Sequence, residues 1–377
     1  MQTKLLTTRR NLTDDLAETL RAFVGGVQWG PDAYLPAERE LGQRYKVSRV
    51  TVRRSLARLV AEGLLEPVPS KGYRVRPRSS AHSPVQTVAY VLAQAGPHER
   101  WDSTHAQILN AFQQAHVGAS GTLLAVGCKG RPAGEVFREL AEARVQAVLL
   151  DGSELPLIRA AQQSGLPFVV VDAHSTEPGV DMVIQDNVDG VRLGAAYAVA
   201  QGHTRIGWVG PTRGFAHWRE RFAGARAGLN DAGLDFDPRH LAITASNEDA
   251  EGAARQVRVM VGAADRPTAL ICPWVAMTLG AADGIRQAGL KVGKDVELVG
   301  WANAHEYRET LAAAFLGGDV PATLVWKPSE MARLALSRLR ERRVQPDGPA
   351  CRIDVRVSLI QPQAAEAAVR RGWDGSA

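Results

Sequence analysis

Long apolar runs are missing from this 377-residue chain: none approaches the ~18 to 20 uninterrupted apolar positions that a bilayer span requires, so no transmembrane helix is expected. The first residues, MQTKLLTTRRNLTDDL, carry basic side chains with no apolar stretch or small-residue cleavage site behind them. They do not read as a secretion signal, and a cytoplasmic protein with no membrane partner is expected. Cysteine is scarce. Cys128, Cys272 and Cys351 are odd in number, far apart and without CxxC spacing, which excludes a disulfide framework and a cysteine zinc site and leaves buried thiols. Enzyme signatures are absent too. Asp151, Asp172 and Asp186 end apolar runs, but no GxSxG or HExxH accompanies them. GPTRG lacks the GK[ST] ending of a phosphate loop, and His203, in QGHTRI, has no second ligand at metal spacing and reads as a brace before a strand. No enzyme, no cofactor and no metal site is expected.

What is present is an ordinary globular composition, 45% apolar and 23% charged, in a chain long enough for two or three domains. The net charge of +5 hides an asymmetry. Residues 1–78 hold 15 Lys and Arg against 8 Asp and Glu, while residues 79–377 hold 30 against 32. Positive charge confined to one small domain points to a polyanion, and without an amphipathic lipid anchor that polyanion is nucleic acid.

The basic segment has a helical pattern. Leu12, Leu16, Leu20 and Phe23 predict a first helix over about 12–25, ended near Gly25 and Gly26. A second helix, AERELGQRY, is expected to start at Pro36, where a missing N–H costs nothing. Ser48 is placed to cap a third, running to about Glu62 and stopping at Gly63. On that third helix Val52, Leu56, Leu59 and Val60 form the inward stripe, and Arg49 and Arg53 point the other way with Thr51 beside them. A helix entering a major groove N-terminus first presents such residues to base edges, where Arg donates twice to guanine. PSKGYRVR then reads as two short strands joined by a turn at Lys71 and Gly72, a wing that reaches the minor groove or phosphates.

The run LPAERELGQRYKVSRVTVRRSLARLVAEGLL, followed by GYRV, resembles the winged helix-turn-helix of the GntR family of bacterial transcription regulators over roughly residues 10–76. The resemblance implies DNA contacts from Arg39, Arg49, Thr51, Arg53 and Gly72, with Ser48 at the cap. Lys71 stands where Arg or His is common; it suits a phosphate better than a base.

PRSSAHSPVQ, residues 77–86, has linker composition. Beyond it, apolar runs at 87–93, 121–127, 147–152, 167–173, 205–210, 269–274 and 295–301 alternate with helical stretches such as HAQILNAFQQA and VRLGAAYAVAQ. That alternation predicts an α/β fold with parallel sheets covered on both faces, ligands sitting at the carboxyl ends of strands.

DNVDGVRLGAAYAVAQGHTRIGWVGP, RERFAGARAGL, AADGIRQAGLKVGKDVELVGWANA and PATLVWKP, in that order, resemble the effector-binding core of the LacI family, itself similar to type I periplasmic-binding proteins. The likeness covers nearly all of 87–362, leaving 363–377 as a tail, and a GntR-like reader on a LacI-like core is a layout shared with arabinose-responsive repressors. It implies two lobes joined by crossover strands, a homodimer, and a small-molecule effector in the cleft, a sugar or another small metabolite. The effector arginine of that family falls on Arg221, whose guanidinium fork suits a carboxylate or neighbouring hydroxyls. The Asn-Asp pair common before the next helix is replaced by Pro273 and Trp274, and the acidic pair that binds sugar hydroxyls in many members is Ala302 and Asn303, which argues against a plain sugar. Trp101, Trp274 and Trp301, near predicted strand ends, are candidates to stack on a ring, whereas Trp208 and Trp326 lie within apolar runs and read as core. Ser153, His174 and Asn303 complete the effector candidates. The reading is a ligand-responsive repressor on a pseudo-palindromic double-stranded operator; its rivals are a regulator whose cleft has lost its ligand, a receptor acting through protein contacts, and an enzyme using the cleft.

Overall fold

Leu16 and Leu20, one turn apart on α1 (Leu12–Gly26), are completely enclosed, and so are Val52, Leu56 and Leu59 on α3 (Arg49–Ala61). The computed structural model describes residues 12–26, 33–61, 64–68, 71–75, 86–94, 103–118, 121–152, 154–315 and 320–362. The chain divides into two units, Met1–Ser83 and Pro84–Ala377.

In the first unit, α2 (Glu38–Tyr45) begins two residues after Pro36, because Ala37 keeps extended dihedrals and serves as the boundary. Lys46, in the left-handed conformation at φ 53°, closes α2, and its N–H returns to the carbonyls of Gly42 and Gln43. Ser48 caps α3 as expected: its Oγ accepts the Thr51 N–H at 3.2 Å, satisfying one of the donors that a helix start leaves open. Val60 is only partly buried. β1 (Leu65–Val68) and β2 (Gly72–Val75) pair antiparallel, Leu65 opposite Val75 and Val68 opposite Gly72. Gly72 sits at φ 95°, which a side chain would resist. The helix stop expected at Gly63 lies outside the described residues.

The second unit is a pair of lobes, each a six-stranded sheet. The first sheet is wholly parallel, in the order β13-β7-β6-β5-β3-β4. Its strands are β3 (Thr87–Leu92), β4 (Thr122–Gly127), β5 (Ala147–Asp151), β6 (Phe168–Val171), β7 (Met182–Gln185) and β13 (Arg352–Val355), with α4 (Ser103–Val117), α5 (Ala133–Glu142) and α6 (Leu155–Ser164) between the first four. The second sheet runs β14-β12-β11-β10-β8-β9, parallel except for β14 at its edge. It comprises β8 (Ile206–Val209), β9 (Leu241–Ala242), β10 (Ala269–Cys272), β11 (Glu297–Asn303), β12 (Ala322–Trp326) and β14 (Val357–Ile360). Its helices are α7 (Asn187–Ala200), α8 (Ala216–Asn230), α9 (Ala250–Val261), α10 (Val275–Gln287) and the short α11 (Ala304–Glu306), which continues as a π-helix over Tyr307–Ala312. All seven apolar runs are strands. Those at the centre, such as Ala147–Leu150 and Ala269–Cys272, are shut off from solvent because both sheet faces are covered.

The chain passes between lobes three times: from β7 through Asp186 into α7, from β12 through Lys327 into α12 (Pro328–Val344) and on to β13, and through Arg356 between β13 and β14. α12 packs on α4, β6 and β7 of the first lobe. Buried Asp181 fixes it there, taking hydrogen bonds from Arg342, from Arg338 at 3.0 Å and from the Cys351 N–H at 2.8 Å. Burial alone would raise the Asp181 carboxyl, but the two arginines outweigh it and hold the group below its usual range. Cys128 and Cys272 are buried thiols as expected, whereas Cys351, in the loop before β13, is only partly covered. His203 bonds Thr268 at 2.9 Å and braces the turn before β8.

Candidate functional site

Two separate surfaces collect the candidate residues. On the first unit, the N-terminal turn of α3 presents Arg49 and Arg53 with side chains 70% and 61% exposed. Neither swings freely. Glu38, at the start of α2, accepts the Arg49 Nε hydrogen at 3.1 Å and the Arg53 Nε hydrogen at 2.9 Å. Its slight burial works to raise its pKa, but the two arginines prevail and lower it. Glu38 takes only the Nε hydrogens, which leaves the Nη hydrogens of each guanidinium for a bidentate contact. Thr51 is partly buried, its hydroxyl 2.8 Å from Ser48 Oγ, so Ser48 shapes the helix start. Arg39, Lys71 and Gly72 are exposed. Glu38, inside the AERE run, was not singled out from sequence; only the packing of α2 on α3 shows its role.

The second surface is a cavity of about 450 Å³ between the lobes of the core. Arg221, Trp274 and Trp301 line it, as expected. Arg221 is positioned by a close helix contact. At Gly224 a Cβ would lie 2.3 Å from the Val188 carbonyl oxygen, so the glycine of RERFAG lets α8 lie against α7. Arg221 Nε then donates to Asn187 Oδ1 at 2.8 Å, and Nη1 to the Pro273 carbonyl at 2.7 Å. The guanidinium carbon stands 4.0 Å from the Trp301 ring centroid and 5.1 Å from that of Trp274. Pro273 and Trp274, read from sequence as departures from the family pattern, therefore build a cradle for Arg221. The two indoles stack first on arginine, within cation–π range.

Two effector candidates fall elsewhere or are spent. Asn303 is fully buried and does not line the cavity; its Oδ1 accepts the His305 and Glu306 N–H groups at 2.9 Å each, capping α11. It acts through Glu306, which does line the cavity. His174 is half-buried, beyond β6, and does not line the cavity wall. Trp101 and Ser153 lie outside the described residues. Trp208 is core, edge-on to Phe222 at 5.1 Å, while Trp326 is both buried and part of the cavity wall.

The opposite wall is acidic, and sequence reading missed it as a site. Asp151, ending β5, receives the Tyr90 hydroxyl and lies 2.8 Å from His105 Nδ1. Asp172, just past β6 at φ 51°, takes a hydrogen bond from Gln185. Burial and then the charge of Asp151 push the Asp172 carboxyl well above the usual range. His105, Asp151 and Asp172 each offer a ligand atom within 4.8 Å of the others, a set able to hold a cation. His217 lines the same cavity and is pushed down to about 3, by burial first and then by Arg221 and His105, so it is neutral at ordinary pH. Thr104, on α4 of the first lobe, donates to Glu306 of the second at 2.7 Å and bridges the cleft.

Comparison with known proteins accounts for both units. Residues 12–75 match the profile of bacterial regulatory proteins, gntR family, and residues 195–362 that of the periplasmic-binding-protein-like domain. The chain joins a GntR-family domain to a periplasmic-binding-protein-like domain. The GntR-family domain contains Glu38, α3 and the hairpin; the periplasmic-binding-protein-like domain contains Arg221, Trp274 and Trp301. Among curated relatives, the HTH-type transcriptional repressor PurR of Aliivibrio salmonicida (strain LFI1238) is 31% identical over 210 residues, 55% of this chain and 60% of that protein. The ribose operon repressor of Haemophilus influenzae is 26% identical, over 48% of this chain and 52% of that one. The chain thus spans between 51% and 70% of the length of the PurR relatives it matches. A LacI-family regulatory protein from Chloroflexus aggregans shares the fold with a TM-score of 0.62 at 18% identity, covering 73% of this chain and 97% of that one. The transcriptional regulator CelR in complex with cellobiose does so at 0.58 and 20% identity, over 93% of this chain and 98% of its own. Among the described residues no helix is long and apolar enough to cross a membrane.

Proposed function

We propose that the protein is a ligand-responsive, sequence-specific DNA-binding transcription repressor, in which residues 1–76 read DNA, 77–86 link, 87–362 bind effector and dimerise, and 363–377 form a tail. The observation that carries this reading is the fusion itself: a GntR-family helix with two exposed arginines pre-aimed by Glu38, on the same chain as a lobed core that encloses a cavity around a buried arginine. The PurR and ribose repressor relatives support repression, and the CelR–cellobiose complex supports a small molecule in the cleft. Arg39, Arg49, Thr51 and Arg53 face DNA, Ser48 shapes the helix start, and Lys71 and Gly72 touch the backbone or minor groove. A homodimer sets two such readers on a pseudo-palindromic operator in the cytoplasm, and lobe closure changes their spacing. The cleft binds without turnover.

The test is selection of bound sequences from random double-stranded DNA by the full chain, followed by titration of the selected site at several salt concentrations. A two-fold-related consensus and steep salt dependence are expected. Absence of any sequence preference would instead make the first unit a protein-contact module and the chain a receptor.

A further inference from the structure

Resting on that reading of the cleft as an effector site, we infer that the effector is a zwitterion, an amino-acid-like molecule that sets a cationic nitrogen against Asp172 and Asp151 and a carboxylate against Arg221.

The two walls of the cavity carry opposite charge and do not meet. Asp172 and Arg221 each feel the other's field, yet no ion pair within 4.0 Å joins them, and among the described residues no basic side chain donates a hydrogen bond to Asp172, although the His105 imidazole acts on it through its field. Its one side-chain hydrogen bond comes from the neutral amide of Gln185. Asp151 is occupied by Tyr90 and His105, so the acidic wall holds two carboxylates with one imidazole between them. Across the cavity Arg221 spends Nε on Asn187 and one Nη1 hydrogen on Pro273, and among the described residues Nη2 has no hydrogen-bond partner. Buried opposite charges left apart are costly, and a ligand carrying both signs satisfies each of them.

A sugar fits this arrangement less well. Hydroxyl groups need acceptors on the arginine side, where the family's acidic position is the methyl of Ala302, which is fully buried. Glu306, one of the carboxylates whose charge reaches Arg221, is already held by Thr104 and by the Asn303 N–H at 3.0 Å. His217 is neutral and adds no charge to either end. The remaining wall is mixed: Phe215, Val275, Leu279 and Trp326 are apolar and suit a hydrocarbon or aromatic side chain, while Gln94, Asn247 and Glu248 add polar groups.

The experiment is a thermal-shift series on the full chain with the twenty proteinogenic amino acids, followed by calorimetric titration of any that act. Ribose, cellobiose, hypoxanthine, magnesium chloride and zinc chloride serve as counter-probes. A ligand that prefers the folded state raises its melting temperature by mass action. At least one amino acid is expected to do so, with its N-acetyl and its amide derivatives each binding about tenfold to a hundredfold more weakly. Asp172→Asn, a near-isosteric change, should reduce the affinity for the amino acid and leave the amide-versus-acid preference in place; Arg221→Gln should abolish that preference. The inference is overturned by no response to any amino acid, by a response to a metal salt alone, or by a sugar or purine response undiminished in Asp172→Asn. A chain that shows the amino-acid response but no sequence preference in DNA binding leaves this inference standing and sinks the repressor reading instead.

Discussion

Glu38 on α2 holds Arg53 on α3, Oε2 receiving the Nε hydrogen at 2.9 Å, and the same oxygen reaches Arg49 at 3.1 Å. One acidic side chain thus organises two exposed basic ones and cancels half of their charge. Exposed ion pairs contribute little to stability, so under the proposed function the effect of losing this one is expected in DNA reading and not in folding. Glu38→Gln should leave the melting temperature almost unchanged, raise affinity for random DNA, and narrow the ratio of specific to non-specific binding about threefold to tenfold. Competition between operator and random duplex in fluorescence anisotropy measures this; an unaltered ratio would refute the aiming role. Arg49→Ala should cost about 1 to 3 kcal/mol of operator binding and relax preference at one base pair.

Asp181 is buried with Arg338 and Arg342 around it. Removing one partner of such a group strands the others without water. Asp181→Ala should therefore destabilise the core by about 3 to 5 kcal/mol in chemical denaturation, far more than loss of an exposed pair such as Arg226–Asp235. Equal, small effects of the two changes would show that the buried cluster is not holding α12.

Thr104 bonds Glu306 across the cleft at 2.7 Å. Thr104→Val keeps the volume and removes the hydroxyl, so the lobes lose one closing contact to a charged acceptor. Ligand affinity should fall about tenfold with little change in the stability of the free protein. The same affinity in both proteins would mean that this bond does not accompany closure.

Two cavity groups give opposite pH slopes. His217 is depressed in the folded chain, to about 3, so the unfolded chain takes up the proton first and stability is lost as pH falls below the ordinary imidazole value. Asp172 is raised, so the folded chain keeps its proton longer and stability is lost as pH rises out of the ordinary carboxylate range. Between about pH 4 and 6.5 the two oppose each other. His217→Gln should leave a stability that falls with rising pH, and Asp172→Asn one that falls with decreasing pH. Melting curves of both variants across that window test the signs; parallel profiles would contradict them.

Much of this was readable from the chain. Leu16, Leu20, Val52 and Leu56 recur at helical spacing and are enclosed, and the seven apolar runs are strands, the central ones covered on both faces and β4 at the sheet edge partly exposed. The short strands were harder. β7, β9, β13 and β14 are two to four residues long, and β13 reads RIDV, with charged residues that an edge position tolerates. Arg221 and Trp301 were legible because the core's pattern marks their positions. The acidic wall was not: His105, Asp151 and Asp172 sit on different βα units and become neighbours only through the strand order. Asn303 was misassigned since nothing in VGWAN announces that β11 ends there and its last residue turns to cap a helix.

The three passages between lobes also define a mechanical axis. Asp186, Lys327 and Arg356 are the only points among the described residues where backbone runs from one sheet's strands towards the other lobe. Any rotation of the lobes is carried by torsion at these three pins, as on a door hung from three hinges. Stiffening one of them would slow opening and closing alike, and so change how fast the protein answers its ligand without changing how tightly it holds it.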